Sequence, residues 1–222
     1  MNWKQTTEKD INSINNILMN YNIETEVPLM EEFYSIQGEG FHTGRAAYFI
    51  RFAGCDVGCT WCDVKESWDI NEHPLISIES IIANVVNSGT DFVVITGGEP
   101  AMYDLTALVD ALHDVNVEIA IETSGAYSII GDIDWICLSP KKFKMPLEEN
   151  YILANELKMI AFNKHDLKWA KELEPKVSLA CQLYIQPEWD KKSEILPTVI
   201  DFIKNNVEWN ISLQTHKFLE VR

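Results

Sequence analysis

Cys55, Cys59 and Cys62 stand at C-x3-C-x2-C spacing in a short stretch, Gly54 to Asp63, punctuated by Gly54 and Gly58. Three thiolates this close in sequence match three irons of a [4Fe-4S] cube and leave the fourth iron open. An open iron is what a substrate or cofactor needs in order to coordinate the cluster directly. Soft thiolates select iron–sulfur, zinc or copper(I) over hard cations. The alternative is a structural zinc site, which takes four protein ligands. Cys137 and Cys181 lie far off in sequence and have no partners at C-x2-C spacing, so cysteine count and spacing favour the cluster.

A chain of 222 residues is long enough for one single-core domain of mixed class, two full domains being cramped, and 46% hydrophobic with 10% aromatic content is ordinary for a soluble globular protein. No apolar run approaches the roughly 20 residues of a membrane helix. Met1-Asn2-Trp3-Lys4-Gln5 lacks the basic-then-apolar order of a secretory signal. Three of the five cysteines are clustered, which speaks against a disulfide framework and for a reducing cytoplasm. The net charge of −16, from 34 acidic and 18 basic residues, argues against extended contact with nucleic-acid phosphate or anionic lipid. An anionic ligand would need its own buried arginine or lysine.

The elements that must position the cysteines follow from periodicity. Residues 1–28 read as an appended helix with Ile11, Ile14, Leu18 and Tyr21 on one stripe, closed by Pro28. Phe33 to Ile36 reads as a strand entering Gln37-Gly38-Glu39-Gly40, either a tight turn or a loop whose backbone approaches a ligand. Ala47 to Phe52 is a mostly apolar strand that runs into the cysteine loop. Arg51 within it needs an anion, either a structural carboxylate or a substrate carboxylate. Ser77 caps a helix carrying Ile78, Ile81, Ile82, Val85 and Val86, and Asp104 caps one carrying Leu105, Leu108, Val109 and Leu112. Strands are expected at 92–96, 117–121, 135–138, 157–161, 179–185 and 210–213, with helices at about 165–173 and 193–206.

Strands alternating with helices imply a parallel sheet with right-handed crossovers. Four of these strands end in polar or glycine-rich turns: Gly97-Gly98-Glu99-Pro100, Glu122-Thr123-Ser124-Gly125, Ser139-Pro140-Lys141 and Gln186-Pro187. The carboxyl edge of such a sheet is where ligands bind. The helices are too few for an eight-fold barrel, so the expected fold is α/β, a partial, open parallel β/α barrel.

The cysteine loop after the first long strand and Gly97-Gly98-Glu99-Pro100 after a later one resemble the radical S-adenosylmethionine superfamily. Within it, residues 33–40, Phe49 to Cys55, Trp61-Cys62-Asp63 and Gln214-Thr215-His216-Lys217 resemble the 7-carboxy-7-deazaguanine synthases of queuosine biosynthesis, a tRNA modification pathway. The likeness runs from about residue 29 to the end, giving an expected catalytic domain over 29–222 behind the extension at 1–28. The resemblance implies that Cys55, Cys59 and Cys62 ligate the [4Fe-4S] cluster, whose free iron chelates S-adenosylmethionine. Gly97, Gly98 and Glu99 would meet its methionyl amino group. Trp61, Asp63, Glu122, Ser139, Pro140, Lys141 and Gln186 would hold the rest of it. Ile36, Gln37, Gly38, Arg51 and Thr96 would line the pterin pocket, Arg51 pairing the substrate carboxylate, with Glu39 and His216 beside them.

The implied reaction is a lyase reaction that converts 6-carboxy-5,6,7,8-tetrahydropterin to 7-carboxy-7-deazaguanine with loss of ammonia. It draws its electron from a donor such as flavodoxin or ferredoxin, in a cytoplasmic homodimer. One position departs from the family pattern. A threonine or serine that helps hold Mg²⁺ normally follows the Cys-Asp pair, and here it is Val64, which has no oxygen to offer. The family's chain end reaches the pocket, where Arg222 would stand. Two rival readings are an activase that installs a glycyl radical on a partner enzyme and a non-catalytic metal-binding scaffold. An activase needs an open face, whereas the Gln37–Gly40 loop, Arg51 and the His216 tail favour a closed polar pocket.

Overall fold

Valine, isoleucine and phenylalanine fill the central strands of this chain, and such runs shed water on both faces only inside a covered parallel sheet. The computed structural model describes residues 26–222. Its strands are β1 (Glu26–Ile36), β2 (Ala46–Phe52), β3 (Leu75–Ser77), β4 (Phe92–Gly97), β5 (Glu118–Thr123), β6 (Trp135–Leu138), β7 (Glu156–Ala161), β8 (Gln182–Pro187) and β9 (Trp209–Ile211). They form one sheet in the order β3-β1-β2-β4-β5-β6-β7-β8-β9. From β2 onward each neighbour pair is parallel, while β1 runs antiparallel to both β2 and β3. The sheet ends at β3 and β9 without closing, as an open, partial β/α barrel does.

Helices α1 (Ile78–Ser88), α2 (Thr106–Asp114), α3 (Glu148–Leu153), α4 (Lys164–Leu173) and α5 (Lys192–Asn205) connect the strands, and α6 (Thr215–Leu219) follows β9. The crossover from β5 to β6 carries no helix. Ser77 caps α1 by accepting from the Ser80 amide at 3.2 Å. Asp104 accepts from the Thr106 amide at 2.9 Å, so α2 starts one residue later than expected, at Thr106.

The strand pleat sorts side chains by parity. Ile50 and Phe52 of β2, Val93 and Ile95 of β4 and Ile119 and Ile121 of β5 pack against α1 and α2 in one core. Leu157, Met159, Leu183 and Ile185 build a second core with Leu167, Ala170 and Val199 of α4 and α5. On the opposite face Phe49, Phe92, Val94 and Ala120 form a smaller cluster. Beyond it, toward the strand ends, that face turns polar at Arg51, Thr96, Glu122, Lys158 and Gln186. Parallel register places Arg51 beside Thr96 and Ile160 beside Gln186, so these residues collect at one edge of the sheet.

Three sequence expectations need correction. Glu26 already belongs to β1, so Pro28 lies inside a strand rather than closing a helix; residues 1–25 of that expected helix lie outside the described residues. Proline is tolerated there because β1 meets β2 only from Leu29 onward, and the Pro28 carbonyl accepts from the Ala53 amide at 3.0 Å. The stretch Leu179-Ala180-Cys181 is a turn and β8 starts at Gln182. Ser178 captures the next amides, its Oγ accepting from Ala180 and its carbonyl from Cys181. The last strand is Trp209–Ile211, one residue earlier at its start and two shorter at its end than expected, and the tail coils into α6. Helix α3 and strand β3 are too short to show a period in the sequence.

Ile95 is fully buried at the centre of the sheet. Ile95→Ala should lower unfolding free energy by about 2–5 kcal/mol, read as a shift of the urea midpoint without a change in slope.

Candidate active site

Strand β2 delivers Arg51 and then the cysteine loop, and main-chain bonds fix where that loop starts. Gly54 donates to the Ser67 carbonyl at 2.7 Å and Cys55 to Trp68 at 3.3 Å, while Cys62 closes a turn onto Cys59 at 3.1 Å. The turn after β4 is tied to the same place: the Gly98 amide donates to Phe52 and the Glu99 amide to Gly54, both at 2.9 Å. A Cβ at Gly98 would run into the Gly54 carbonyl, so the approach requires glycine. The Gly98 carbonyl accepts no hydrogen bond among the described residues. The buried Glu99 carboxylate accepts from the Ala101 amide at 3.1 Å, the Ser124 amide at 2.8 Å and the Thr123 and Ser124 hydroxyls. It is thus a brace between the turns after β4 and β5.

Above these turns lies a cavity of about 480 Å³, within the usual range for a ligand site. Cys55, Cys59 and Cys62 all line it, and none is in a disulfide. Burial raises the Cys55 and Cys59 thiols above the ordinary range, so loading iron would displace their protons. The donor set fits an open cluster: three thiols face one cavity, and Cys137 and Cys181 are not among its lining. Among the described residues no three His, Cys, Asp or Glu side chains converge closely enough to hold a single metal ion. Lys141 donates to Ser139 Oγ at 2.6 Å and lies 5.3 Å from the centre of the Trp61 ring; burial pulls its pKa down.

A polar floor closes the other end. Lys158, nearly inaccessible, donates to Glu39 at 2.5 Å and to Glu122 at 3.2 Å. Glu122 also accepts from Gln37 and Thr96, each at 3.2 Å. Burial pushes the Glu39 carboxyl up, but the Lys158 ammonium and the hydrogen bonds of Lys158, Gln214 and Gln186 outweigh it and hold its pKa at about 2. Arg51 pairs through Nε with Glu31 at 3.0 Å, and Arg222 pairs with the other oxygen of Glu31 at 2.5 Å. A structural carboxylate, Glu31, thus meets the Arg51 Nε. The two terminal nitrogens of Arg51 carry no hydrogen bond among the described residues.

The tail after β9 lids the floor. Thr215 donates to the Gly38 carbonyl at 2.9 Å, Gln214 reaches Glu39 at 2.9 Å and Lys217 reaches Asp63 at 3.0 Å. The His216 ring packs where a Gly38 side chain would be, and burial lowers its pKa, leaving it neutral at pH 7. Every residue expected at the site lines this cavity except Pro140, which is buried behind it. Glu122, expected with the cofactor, stands among the residues expected around the substrate. Lys158 and Gln214 were not anticipated, although a lysine in the apolar run Leu157–Ala161 is the same signal that marked Arg51.

A family model described as the Radical SAM superfamily matches residues 49–136, from β2 to the middle of β6. The 7-carboxy-7-deazaguanine synthase of Flavobacterium psychrophilum is 52% identical over 195 residues, 88% of this chain and 92% of that protein. The chain belongs to the 7-carboxy-7-deazaguanine synthase family. The Synechocystis member is 44% identical over 88% of this chain and 93% of its own length. The crystal structure of QueE from Escherichia coli superposes with a TM-score of 0.77 at 29% identity, covering 86% of this chain and 94% of that one. This is a radical SAM enzyme family, whose members use a [4Fe-4S] cluster and S-adenosylmethionine.

Because the Glu39 pKa falls on folding, its contribution to stability is complete above the ordinary value of 4.5 and lost as pH drops toward about 2. The stability gap between wild type and Glu39→Gln should narrow through that window, measured by urea unfolding at stepped pH.

Proposed function

We propose that this enzyme converts 6-carboxy-5,6,7,8-tetrahydropterin to 7-carboxy-7-deazaguanine with loss of ammonia. One observation carries the reading: a single cavity joins three free cysteines to a floor of Gln37, Glu39, Thr96, Glu122 and Lys158 suited to an N–H-rich heterocycle. Cys55, Cys59 and Cys62 would hold the [4Fe-4S] cluster, and together with S-adenosylmethionine it would supply radical chemistry for removing the substrate's C6 hydrogen. The chain's own share is positioning and exclusion of water.

The turn Gly97-Gly98-Glu99 serves by its backbone. Its Gly98 and Glu99 amides are already used, so the free Gly98 carbonyl is an acceptor for the ammonium of the methionyl group. Trp61, Lys141 and Ser139 flank the cofactor on the cysteine-loop side, with Asp63 beside them. Gly38 allows His216 to close over the ring, and a neutral imidazole can accept as well as donate. Arg51 turns its unpaired terminal nitrogens to the substrate carboxylate while Glu31 fixes its Nε. Glu39, Glu122 and Gln186 meet the pterin edge.

The catalytic domain, expected over 29–222, begins in this reading with β1 at Glu26, and the N-terminal extension is the sequence before it. The setting is a cytoplasmic homodimer fed by flavodoxin or ferredoxin. Among the described residues no helix is long and apolar enough to cross a membrane.

Reconstituted protein, S-adenosylmethionine, a reductant and the carboxytetrahydropterin, combined anaerobically, should yield the carboxylated deazaguanine. Cofactor cleavage without that product would reject the substrate and bring forward the glycyl-radical activase. Cys62→Ala should lose both the iron–sulfur absorbance and all cofactor cleavage; retained absorbance with full iron content would remove Cys62 from the ligand set. At Val64 the amide donates to Cys62 Sγ at 3.4 Å and the side chain has no oxygen. Mg²⁺ should therefore stimulate turnover only weakly, and Val64→Thr should steepen the Mg²⁺ titration; a steep, saturable requirement in the wild type would contradict this.

A further inference from the structure

The floor of the cavity holds one cation that the chemistry above does not use. Lys158 Nζ lies within hydrogen-bond reach of both Glu39 Oε2 and Glu122 Oε1, at 2.5 and 3.2 Å. Glu39 Oε1 takes Gln214 at 2.9 Å and Glu122 Oε2 takes Thr96 at 3.2 Å. An ionised carboxylate has about four acceptor sites, so both groups keep acceptor capacity in the cavity they line. Two carboxylates gathered around one nitrogen cannot both stay ionised once the cation is removed, because like charges at this range drive one to take up a proton. A protonated carboxyl then presents a donor where a ligand N–H needs an acceptor.

We propose that Lys158 is a positioning residue that keeps Glu39 and Glu122 ionised and at fixed separation, so that together they accept the N–H edge of a fused aminopyrimidinone ring. The inference rests on the pterin reading above and names the groups that recognise the ring. Lys158 is no base: burial favours its neutral form, but the carboxylates around it, with Glu122 and Glu39 in direct contact, outweigh burial and hold its pKa well above the ordinary range. No neighbour replaces it. Glu156 is an acid that burial pushes upward, and Cys137 stays a thiol. His216 is kept neutral by burial, and Lys141 is bound to Ser139 with no hydrogen bond to either glutamate.

Anaerobic calorimetry on the reconstituted holoenzyme tests this, with S-adenosylmethionine present, no reductant, and the carboxytetrahydropterin as titrant. Wild-type affinity should stay level between about pH 6 and about pH 9, whereas Lys158→Met should bind about 10- to 100-fold more weakly near neutrality and recover as pH rises. Lys158→Arg, which keeps the charge, should restore level binding. Unchanged affinity in Lys158→Met overturns the proposal. So does a loss that is the same at every pH and is not rescued by arginine, since that is a packing defect. Should Lys158→Met not fold, the charge-balanced Lys158→Met/Glu122→Gln protein should bind weakly and without pH dependence, and wild-type affinity there overturns the proposal. Absence of binding by the wild type refutes the pterin reading itself, and with it the ring class assigned to these carboxylates.

Discussion

Two main-chain hydrogen bonds hold this molecule's chemistry in place: the Gly98 amide on the Phe52 carbonyl and the Glu99 amide on Gly54. They join the end of β4 to the start of the cysteine loop at a distance that no side chain at Gly98 would permit. Glu99 extends the junction sideways by taking the Thr123 and Ser124 hydroxyls, which fixes the turn after β5. The start of the cysteine loop and the turns after β4 and β5 are therefore tied to one another. A loop of three cysteines alone would have no reason to face the polar floor; anchored this way, it must.

The floor solves a second problem, that of burying charge in a chain of net charge −16. Isolated buried ions are costly, and pairs survive only when their remaining valences are met. Here Lys158 stands between Glu39 and Glu122, with Gln37, Thr96 and Gln214 completing the shell. Nearer the rim Glu31 is divided between Arg51 and Arg222. Both motifs set one ion between two of opposite sign, with the signs exchanged: a cation between acids in the floor, an acid between cations at the rim. Such an arrangement is rigid, and it leaves the outer valences of each charge for a ligand.

Much of this was legible in the sequence because it rests on local rules. Cysteine spacing, the glycines of the turns, the alternation of strand and helix and the cap Ser77 are all short-range, and the corresponding elements lie close to where expected, the helix after Asp104 starting one residue late. The polar ends of the strands pointed to the right edge of the sheet. What escaped was set by partners distant in sequence. Glu31 lies twenty residues from Arg51, and nothing local marks it as the anion. Lys158 reads as one polar residue in an apolar strand until register brings it to Glu122 and the β1–β2 loop brings Glu39. Pro28 looked like a terminator because proline usually is one; only the late start of β2 pairing makes it harmless. One miss was local: Ser178 overrode the strand propensity of Leu179 and Cys181 by taking the amides of Ala180 and Cys181.

The lid made by Gln214, Thr215, His216 and Lys217 carries a consequence for biosynthesis. These residues follow all three cysteines by more than 150 positions, as the 151-residue separation of Asp63 and Gln214 shows. During translation the thiol loop emerges and β2 can pair with β4 long before Gly38 and Glu39 meet their cover. The cysteines and the first substrate-facing residues, Gln37, Glu39 and Arg51, are therefore made well before the residues that cover them. Order of synthesis leaves the cavity uncovered on this side until Gln214 to Lys217 are made.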